Sequence, residues 1–211
     1  IFIFDHHEVI KEIPENITMI NPFFDNSDSI CSAAICYLFA KTLSKNNKDL
    51  ANLAVMGMVG DNHEKEIEKI YDEILKDSEA IVKKGFLLYP STRPLNKALE
   101  YSSSPYIPGV TGSSTGVLEL LREAGIQRQS NGYKALYELS QEEMSSLITA
   151  IMLRTASKSH QEDLVGNIYL IKFFNKLEDA RELSALINAC GRMDHPPIAL
   201  GFCLGNKSLK Q

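Results

Sequence analysis

The feature that most constrains the fold is the first stretch of the chain, where a short apolar run ends in an acid and two histidines. The run is Ile1-Phe2-Ile3-Phe4, and Asp5-His6-His7 follows at once. Alternating isoleucine and phenylalanine over so few residues is too short for a helix face and is typical of a buried strand. In open parallel α/β sheets, ligands bind just beyond the carboxyl ends of the strands. The sequence therefore predicts an α/β fold with these polar side chains at the carboxyl end of an interior parallel strand.

The same tripeptide indicates a metal site. One carboxylate and two imidazoles offer oxygen and nitrogen donors that suit Mn²⁺ or Zn²⁺ better than Ca²⁺. The alternative is that the histidines are surface or hydrogen-bonded structural residues, since short motifs discriminate loosely. On the tripeptide alone both interpretations stay open.

Length and composition limit the class of protein. A chain of 211 residues forms one large domain or two small ones. It has no run of 18 apolar residues, so we expect no transmembrane helix. A net charge of −5 argues against general adhesion to nucleic acid but leaves room for a local basic channel. The four cysteines form no Cys-x-x-Cys pair and predict buried, reduced thiols of a cytoplasmic protein.

Hydrophobic periodicity divides the rest of the chain into helices and a few strands. Strands are expected at 17–22 and 167–174. Helices are expected after capping residues 26–28, over 49–60 with Asp49 as the cap, as an amphipathic pair over 64–84, and over 94–101, 114–124, 140–156 and 177–190. The proline and glycine content near 105–115 predicts a domain boundary, placed after residue 110.

Asp61 strengthens the metal interpretation. It follows an almost wholly apolar helix and Gly60. An acid is disfavoured at the negative end of the helix dipole, and burying it unpaired costs several kcal/mol. A divalent cation would remove both objections. The alternative is that Asp61 caps the next helix. We expect His63 and His160 to be surface residues.

Together these motifs resemble a known family. Asp5-His6-His7 after an apolar strand, with Gly57-x-x-Gly60-Asp61 farther along, resembles motifs III and IV of the DHH phosphoesterases. Residues 92–112 and 188–205 are similar to segments of the archaeal RecJ-like exonucleases. The resemblance extends over most of the chain.

The resemblance implies a fold and an activity. Residues 1–110 would be the carboxyl-terminal part of a helix-rich DHH phosphoesterase domain with a parallel sheet, truncated at its amino end. Residues 111–211 would be connecting helices and the beginning of a DHH-associated substrate-binding domain. The implied activity is exonuclease hydrolysis of single-stranded DNA or RNA by a two-Mn²⁺ mechanism, with Mg²⁺ as the alternative ion, in replication or repair.

Residue roles follow from the same resemblance. His6 and Asp61 would bind one Mn²⁺, with Asp5 as a further ligand or a hydrogen-bond acceptor behind the ligands. His7 would contact the scissile phosphate, so that Asp5 and His7 are the expected catalytic residues. Family motifs I and II, which supply the remaining ligands, precede motif III. We therefore expect this sequence to be a piece of a longer chain, inactive alone and a weak binder of Mn²⁺.

Three residues are candidates for contact with nucleic acid. Gly191 and Arg192 would meet a phosphate, since arginine binds phosphate through two parallel hydrogen bonds. The alternative for this pair is a glycine cap and a cation at a helix carboxyl end. Arg93 precedes a proline and is equally compatible with a structural turn. The loop 112–116 resembles a phosphate-binding loop but lacks a lysine, which favours a helix cap.

Two other functions compete with the exonuclease. One is a non-catalytic replication scaffold that partners the GINS complex, since degenerate DHH relatives serve in replicative helicases. The other is a phosphoesterase for short oligonucleotides or cyclic dinucleotides. An Asp-x-Asp motif upstream of Ile1 would favour an enzyme, and its loss would favour a scaffold.

Overall fold

The computed structural model of the protein describes residues 1–25, 30–65, 69–155, 164–206 and 208. The chain forms two compact units, the first made of residues 1–81 and 169–211 and the second of residues 82–168. The strands are β1 (Phe2–Phe4), β2 (Thr18–Ile20), β3 (Ile81–Phe86), β4 (Val165–Phe173) and β5 (Lys176–Asp179). The helices are α1 (Ser32–Leu43), α2 (Ala51–Gly60), α3 (Lys69–Ser78), α4 (Leu95–Glu100), α5 (Ser114–Glu123), α6 (Gln141–Arg154), α7 (Ala180–Arg192) and α8 (Pro196–Cys203). The predicted α/β class is confirmed.

The first unit begins with a small parallel sheet. β1 pairs with β2 in parallel, with Ile3 opposite Met19. Parallel pairing brings the carboxyl ends of both strands to one edge, so Asp5 and Asn21 follow neighbouring strand ends. The predicted strand and its direction are therefore confirmed. Within the described part of the chain β1 has no second strand neighbour, so the expected interior position is not seen.

Helix α2 forms the centre of the first unit. Six of its ten residues are buried, and it packs against α1, α3 and α7. A helix that is apolar on all sides can satisfy its surface only by such burial, so the predicted buried helix is confirmed. Among the helices of the described residues, none combines the length and apolar character needed to cross a membrane.

The second unit contains α4, α5, α6, β3 and the first part of β4. The predicted capping box opens α6, because Ser140 Oγ accepts from Glu143 N–H at 3.1 Å and the Glu143 carboxylate accepts from Ser140 N–H at 2.8 Å. Ser113 caps α5 by accepting from Gly116 N–H at 3.1 Å. The loop 112–116 is therefore a helix cap, as the missing lysine indicated.

Several predicted boundaries are wrong. Helix α1 begins at Ser32 behind Cys31, and the expected capping residues 26–28 lie outside the described residues. Asp49 belongs to a 3-10 turn rather than capping α2. The second helix of the pair expected over 64–84 is instead β3, since the backbone of Glu79 turns to a φ of 53° and ends α3. Helix α7 begins at Ala180 rather than 177, because residues 176–179 form β5 against β4.

The chain does not divide into compact units after residue 110. The first unit contains both ends of the chain. The second unit is a continuous segment inserted into it, which begins after residue 81 and ends within β4 at residue 168. The turns near 105–115 lie inside the second unit, where buried Ile107 and Val110 anchor them. The roles expected of segments 1–110 and 111–211 stay predictions.

A charged cluster joins α1 to α3. Asp77, whose side chain is 9% exposed, contacts Lys41, accepts from Tyr37 Oη at 2.7 Å and lies 3.0 Å from Lys48 Nζ. These contacts, chiefly with Lys41 and then Tyr37, hold the pKa of Asp77 well below its ordinary value of 3.8. The ionised carboxylate therefore stabilises the folded state.

Replacing Asp77 by asparagine is expected to lower the free energy of unfolding at pH 7 by about 2 kcal/mol, the scale of hydrogen bonds to a charged group. Because the folded-state pKa is lowered, this contribution is complete above pH 3.8 and is lost as the pH falls through the folded-state pKa. Urea unfolding between pH 7 and 2 should therefore show a shallower acid loss in the variant. Asp72→Asn, an exposed change on the same helix, is the control. Equal pH slopes for wild type and Asp77→Asn would contradict the assignment.

Candidate metal centre

The candidate centre begins at the carboxyl end of β1. Asp5 N–H donates to Ile20 O at 3.2 Å, which keeps Asp5 in line with the sheet. The Asp5 carboxylate accepts from His6 N–H at 2.9 Å and from His7 Nδ1 at 2.7 Å, and lies 3.4 Å from Ser32 Oγ. The bond from His7 is the main cause of a lowered pKa of Asp5, partly opposed by burial. Asp5 is therefore ionised at neutral pH and fixes the ring of His7.

Asn21, which no sequence pattern marked as part of the site, supports this edge from the neighbouring strand. Its side chain is buried, donates from Nδ2 to His7 O at 2.8 Å and accepts at Oδ1 from Phe23 N–H at 3.0 Å. An amide can make both bonds at once, so Asn21 ties the Asp-His-His turn to the end of β2. The signal available in the sequence was an asparagine at the end of the second predicted strand.

Helix α2 positions Asp61, and Gly57 permits the close packing that this needs. A Cβ atom added at Gly57 would lie closer than 3.0 Å to the Cβ of Ala33 on α1. Glycine thus allows α2 to approach α1 more closely than any other residue could. The helix then ends at Asp61, whose N–H donates to Gly57 O at 2.9 Å. Asp61 is the carboxyl-terminal cap of α2, so the alternative in which it caps a following helix is not observed.

The two predicted ligands meet across this edge. His6 Nε2 lies 3.8 Å from Asp61 Oδ2, with side chains 19% and 46% exposed respectively. Asp5 and His7 offer further donors beside His6, and one potential ligand atom from each of these three residues lies within 4.8 Å of the others. This set of carboxylate oxygens and imidazole nitrogens fits Mn²⁺, Fe²⁺ or Zn²⁺.

His63, expected at the surface, lies beside His6 and Asp61 and is half-buried. It is half-buried in the 3-10 turn His63–Lys65, and its ligand atom lies within 4.8 Å of those of His6 and Asp61. Its ring lies 5.9 Å from the His6 ring and 5.8 Å from the Tyr71 ring. His160, also expected at the surface, lies outside the described residues.

Tyr71 and Cys31 lie next to the cluster on the side of the hydrophobic core. Tyr71 is fully buried, and its hydroxyl oxygen accepts from Cys31 N–H at 2.7 Å at the beginning of α1. Burial raises the pKa of Tyr71 and of the Cys31 thiol, so both stay neutral at neutral pH. All four cysteines are free thiols, and Cys31 is buried as expected whereas Cys36 is exposed.

A partly buried ion pair supports the cluster from the side of α7. Arg181 contacts the carboxylate of Glu64, the residue after His63. Glu64 is only 8% exposed, and among the described residues its Oε2 has no hydrogen-bond partner. Arg181 lies at the first turn of α7, where Asp179 caps the helix. The pair therefore fixes the turn that carries His63.

The three candidate nucleic-acid contacts belong to α7 and to the segment before α4. Gly191 and Arg192 are exposed in the last turn of α7, where a cation favourably meets the helix dipole. Gly191 is helical rather than a cap, and the left-handed residue after the helix is Asp194, with a φ of 59°. Arg93 is exposed in the second unit. Their contact with nucleic acid stays a prediction.

Comparison with known proteins finds a described domain family that part of this chain matches. Residues 88–168 match the DHH-CID domain, which covers nearly all of the second unit. The chain is also 30% identical over 220 aligned residues to an uncharacterized protein of Methanocaldococcus jannaschii, an alignment that covers 96% of this chain and 46% of that protein. The chain thus spans about half the length of the curated relative it matches. The match of residues 88–168 to the DHH-CID domain supports the DHH family for the chain, as the Asp-His-His and Gly-x-x-Gly-Asp motifs do.

Proposed function

We propose that this chain carries part of the active site of a metal-dependent phosphoesterase that hydrolyses single-stranded nucleic acid, with two Mn²⁺ ions as cofactors. The observation that supports this most directly is the meeting of His6 and Asp61 at the carboxyl edge of a parallel sheet, 3.8 Å apart. These residues come from elements far apart in sequence. The DHH-CID match supports the phosphoesterase class independently of that geometry.

In this proposal His6 and Asp61 hold one Mn²⁺, with Asp5 beside them as a ligand or as the acceptor that orients His7. Bound divalent ions would supply an activated water and stabilise the negative charge that develops on the phosphate. In this proposal the described residues supply the ligands of one ion. The proposal assigns the remaining ligands of the second ion to residues outside the described set.

His7 is suited to contact the scissile phosphate. Its side chain is 76% exposed, yet its Nδ1 is fixed by the 2.7 Å bond to Asp5. An ionised carboxylate can only accept, so Nδ1 carries the proton. The ring's other nitrogen, Nε2, then faces solvent. It donates a hydrogen bond to a phosphate oxygen when the ring is doubly protonated. Asp5 thus holds His7 in an orientation suited to binding an anion.

Contacts with the nucleic-acid strand are assigned to Arg192, Gly191 and Arg93. The chain as a whole carries a charge of −5, so binding must depend on local cations rather than on a general basic surface. Exposed arginines can each bind a phosphate through two parallel hydrogen bonds.

The test is hydrolysis by the natural protein that carries this sequence. Labelled single-stranded DNA, single-stranded RNA, duplex DNA and a cyclic dinucleotide are incubated with Mn²⁺, with Mg²⁺ and with chelator. We expect Mn²⁺-dependent shortening of single strands, little activity on duplex, and none with chelator. If only the cyclic dinucleotide is cleaved, the substrate is a cyclic dinucleotide and not single-stranded nucleic acid. Binding to the GINS complex without hydrolysis of any substrate would replace the enzyme with a scaffold.

A further inference from the structure

We propose that His63 is a third ligand of the ion held by His6 and Asp61, so that this chain presents two imidazoles and one carboxylate to a single transition-metal ion. The inference rests on the proposed function only for the presence of a divalent ion at this edge. It adds a ligand that lies outside the Asp-His-His and Gly-x-x-Gly-Asp motifs.

The first argument is distance. One potential ligand atom from each of His6, Asp61 and His63 lies within 4.8 Å of the others, and the His6–Asp61 separation is 3.8 Å. Two donors that bind one ion at about 2.2 Å each are at most about 4.4 Å apart. The three donors therefore already lie near the separations that a shared ion requires.

The second argument is the backbone that joins Asp61 to His63. Asn62 adopts a left-handed conformation with a φ of 59°, which asparagine tolerates better than most residues. This residue turns the backbone directly after α2, and beyond the turn a potential ligand atom of His63 lies within 4.8 Å of one of Asp61.

The third argument is that the His63 ring is held in place. It lies 5.9 Å from the ring of His6 and 5.8 Å from that of Tyr71, whose hydroxyl is fixed by the 2.7 Å bond from Cys31 N–H. The next residue in the chain, Glu64, contacts Arg181 of α7, which fixes the backbone beside His63. Ligands whose orientation is fixed by such surroundings bind metals more tightly than mobile ones.

A second imidazole changes which ions the site prefers. Mg²⁺ takes oxygen ligands almost exclusively, whereas Mn²⁺, Co²⁺ and Zn²⁺ accept imidazole in increasing order of affinity, apart from local geometry. The His63 ligand should therefore favour Mn²⁺ and Co²⁺ over Mg²⁺. Removing it should reduce that discrimination as well as the affinity.

The test uses Co²⁺ as a probe in the natural protein that carries this sequence. Co²⁺ affinity is measured by visible absorption, and metal-bound imidazoles are counted by their paramagnetically shifted N–H proton resonances. We expect His63→Ala to weaken Co²⁺ binding at one site by at least about tenfold and to remove one shifted resonance. It should also narrow the ratio of Mn²⁺ to Mg²⁺ affinity. His195→Ala, an exposed histidine of the same unit, should change neither readout.

The outcomes separate this inference from the proposed function. If His6→Ala removes a shifted resonance and His63→Ala leaves affinity and spectrum as in the wild type, His63 is not a ligand and the metal site stands. If the wild-type protein binds no Co²⁺ or Mn²⁺, both proposals fail. Circular dichroism of each variant shows whether a loss of binding comes instead from unfolding. Should His63→Ala unfold, His63→Gln takes its place, with the same expected loss of one imidazole resonance.

Discussion

Replacing His6 or Asp61 by alanine in the natural protein is expected to lower Mn²⁺-dependent hydrolysis of a single strand by about a thousandfold or more. Loss of a single group that stabilises developing charge costs about 10²–10³ in rate, and loss of a ligand removes part of the hold on the ion itself. Both side chains lie at the margin of the core, 19% and 46% exposed. We therefore expect the melting temperature to move by only about 4 °C or less. Initial rates with labelled oligonucleotide give the measurement.

Asp194→Ala serves as the control, because Asp194 is an exposed acid of the same unit beyond α7. It should leave the rate unchanged. Conservative Asp61→Asn keeps the volume and removes the charge, so it should lose nearly as much activity as Asp61→Ala. Wild-type rates in both His6→Ala and Asp61→Ala, with folding intact, would rule out the ligand roles.

The elements that carry His6 and Asp61 could be predicted from the sequence because their signals are local. The apolar run before Asp5 and the apolar helix before Asp61 each fix the element on which the ligand stands. Their juxtaposition, 3.8 Å between His6 Nε2 and Asp61 Oδ2, does not follow from these two patterns alone. The family resemblance added the expectation that His6 and Asp61 share an ion.

His63 and Asn21 could not be placed by the same reasoning. His63 stands in a polar segment, and its approach to His6 depends on the left-handed turn at Asn62 and on the distant ring of Tyr71. Asn21 donates a side-chain hydrogen bond to His7 O, and this bond joins the segments that follow β1 and β2. Contacts of this kind depend on tertiary structure, which hydrophobic periodicity does not encode.

The errors in secondary structure have a related cause. The segment from Ile81 to Phe86 continues a pattern of apolar and charged residues that suits a helix, yet it forms β3 beside β4, more than seventy residues later. Strand pairing over such a distance overrides local preference. In the same way, the start predicted for α7 at residue 177 falls within β5, because residues 176–179 pair antiparallel with β4.

Replacing Arg181 by methionine is expected to lower the free energy of unfolding by about 3–5 kcal/mol. Removing one partner of a buried ion pair leaves the other charge without compensation, and breaking such a pair costs about that amount. Here the remaining group would be the carboxylate of Glu64, which is 8% exposed and already has one oxygen without a hydrogen-bond partner among the described residues. Burial also lowers the pKa of Arg181, whose side chain is 21% exposed. Urea unfolding gives the measurement.

The double variant Arg181→Met with Glu64→Met separates the charge from the packing. Apolar replacement of both partners of a buried pair is often neutral or stabilising, so most of the loss in Arg181→Met should be recovered. Arg192→Met, an exposed change on the same helix, should alter stability by no more than about 0.5 kcal/mol. If Arg181→Met matches Arg192→Met, the pair contributes nothing to stability. If the double variant is no more stable than Arg181→Met, the loss comes from packing around α7, and the carboxylate of Glu64 is not the group that Arg181 neutralises.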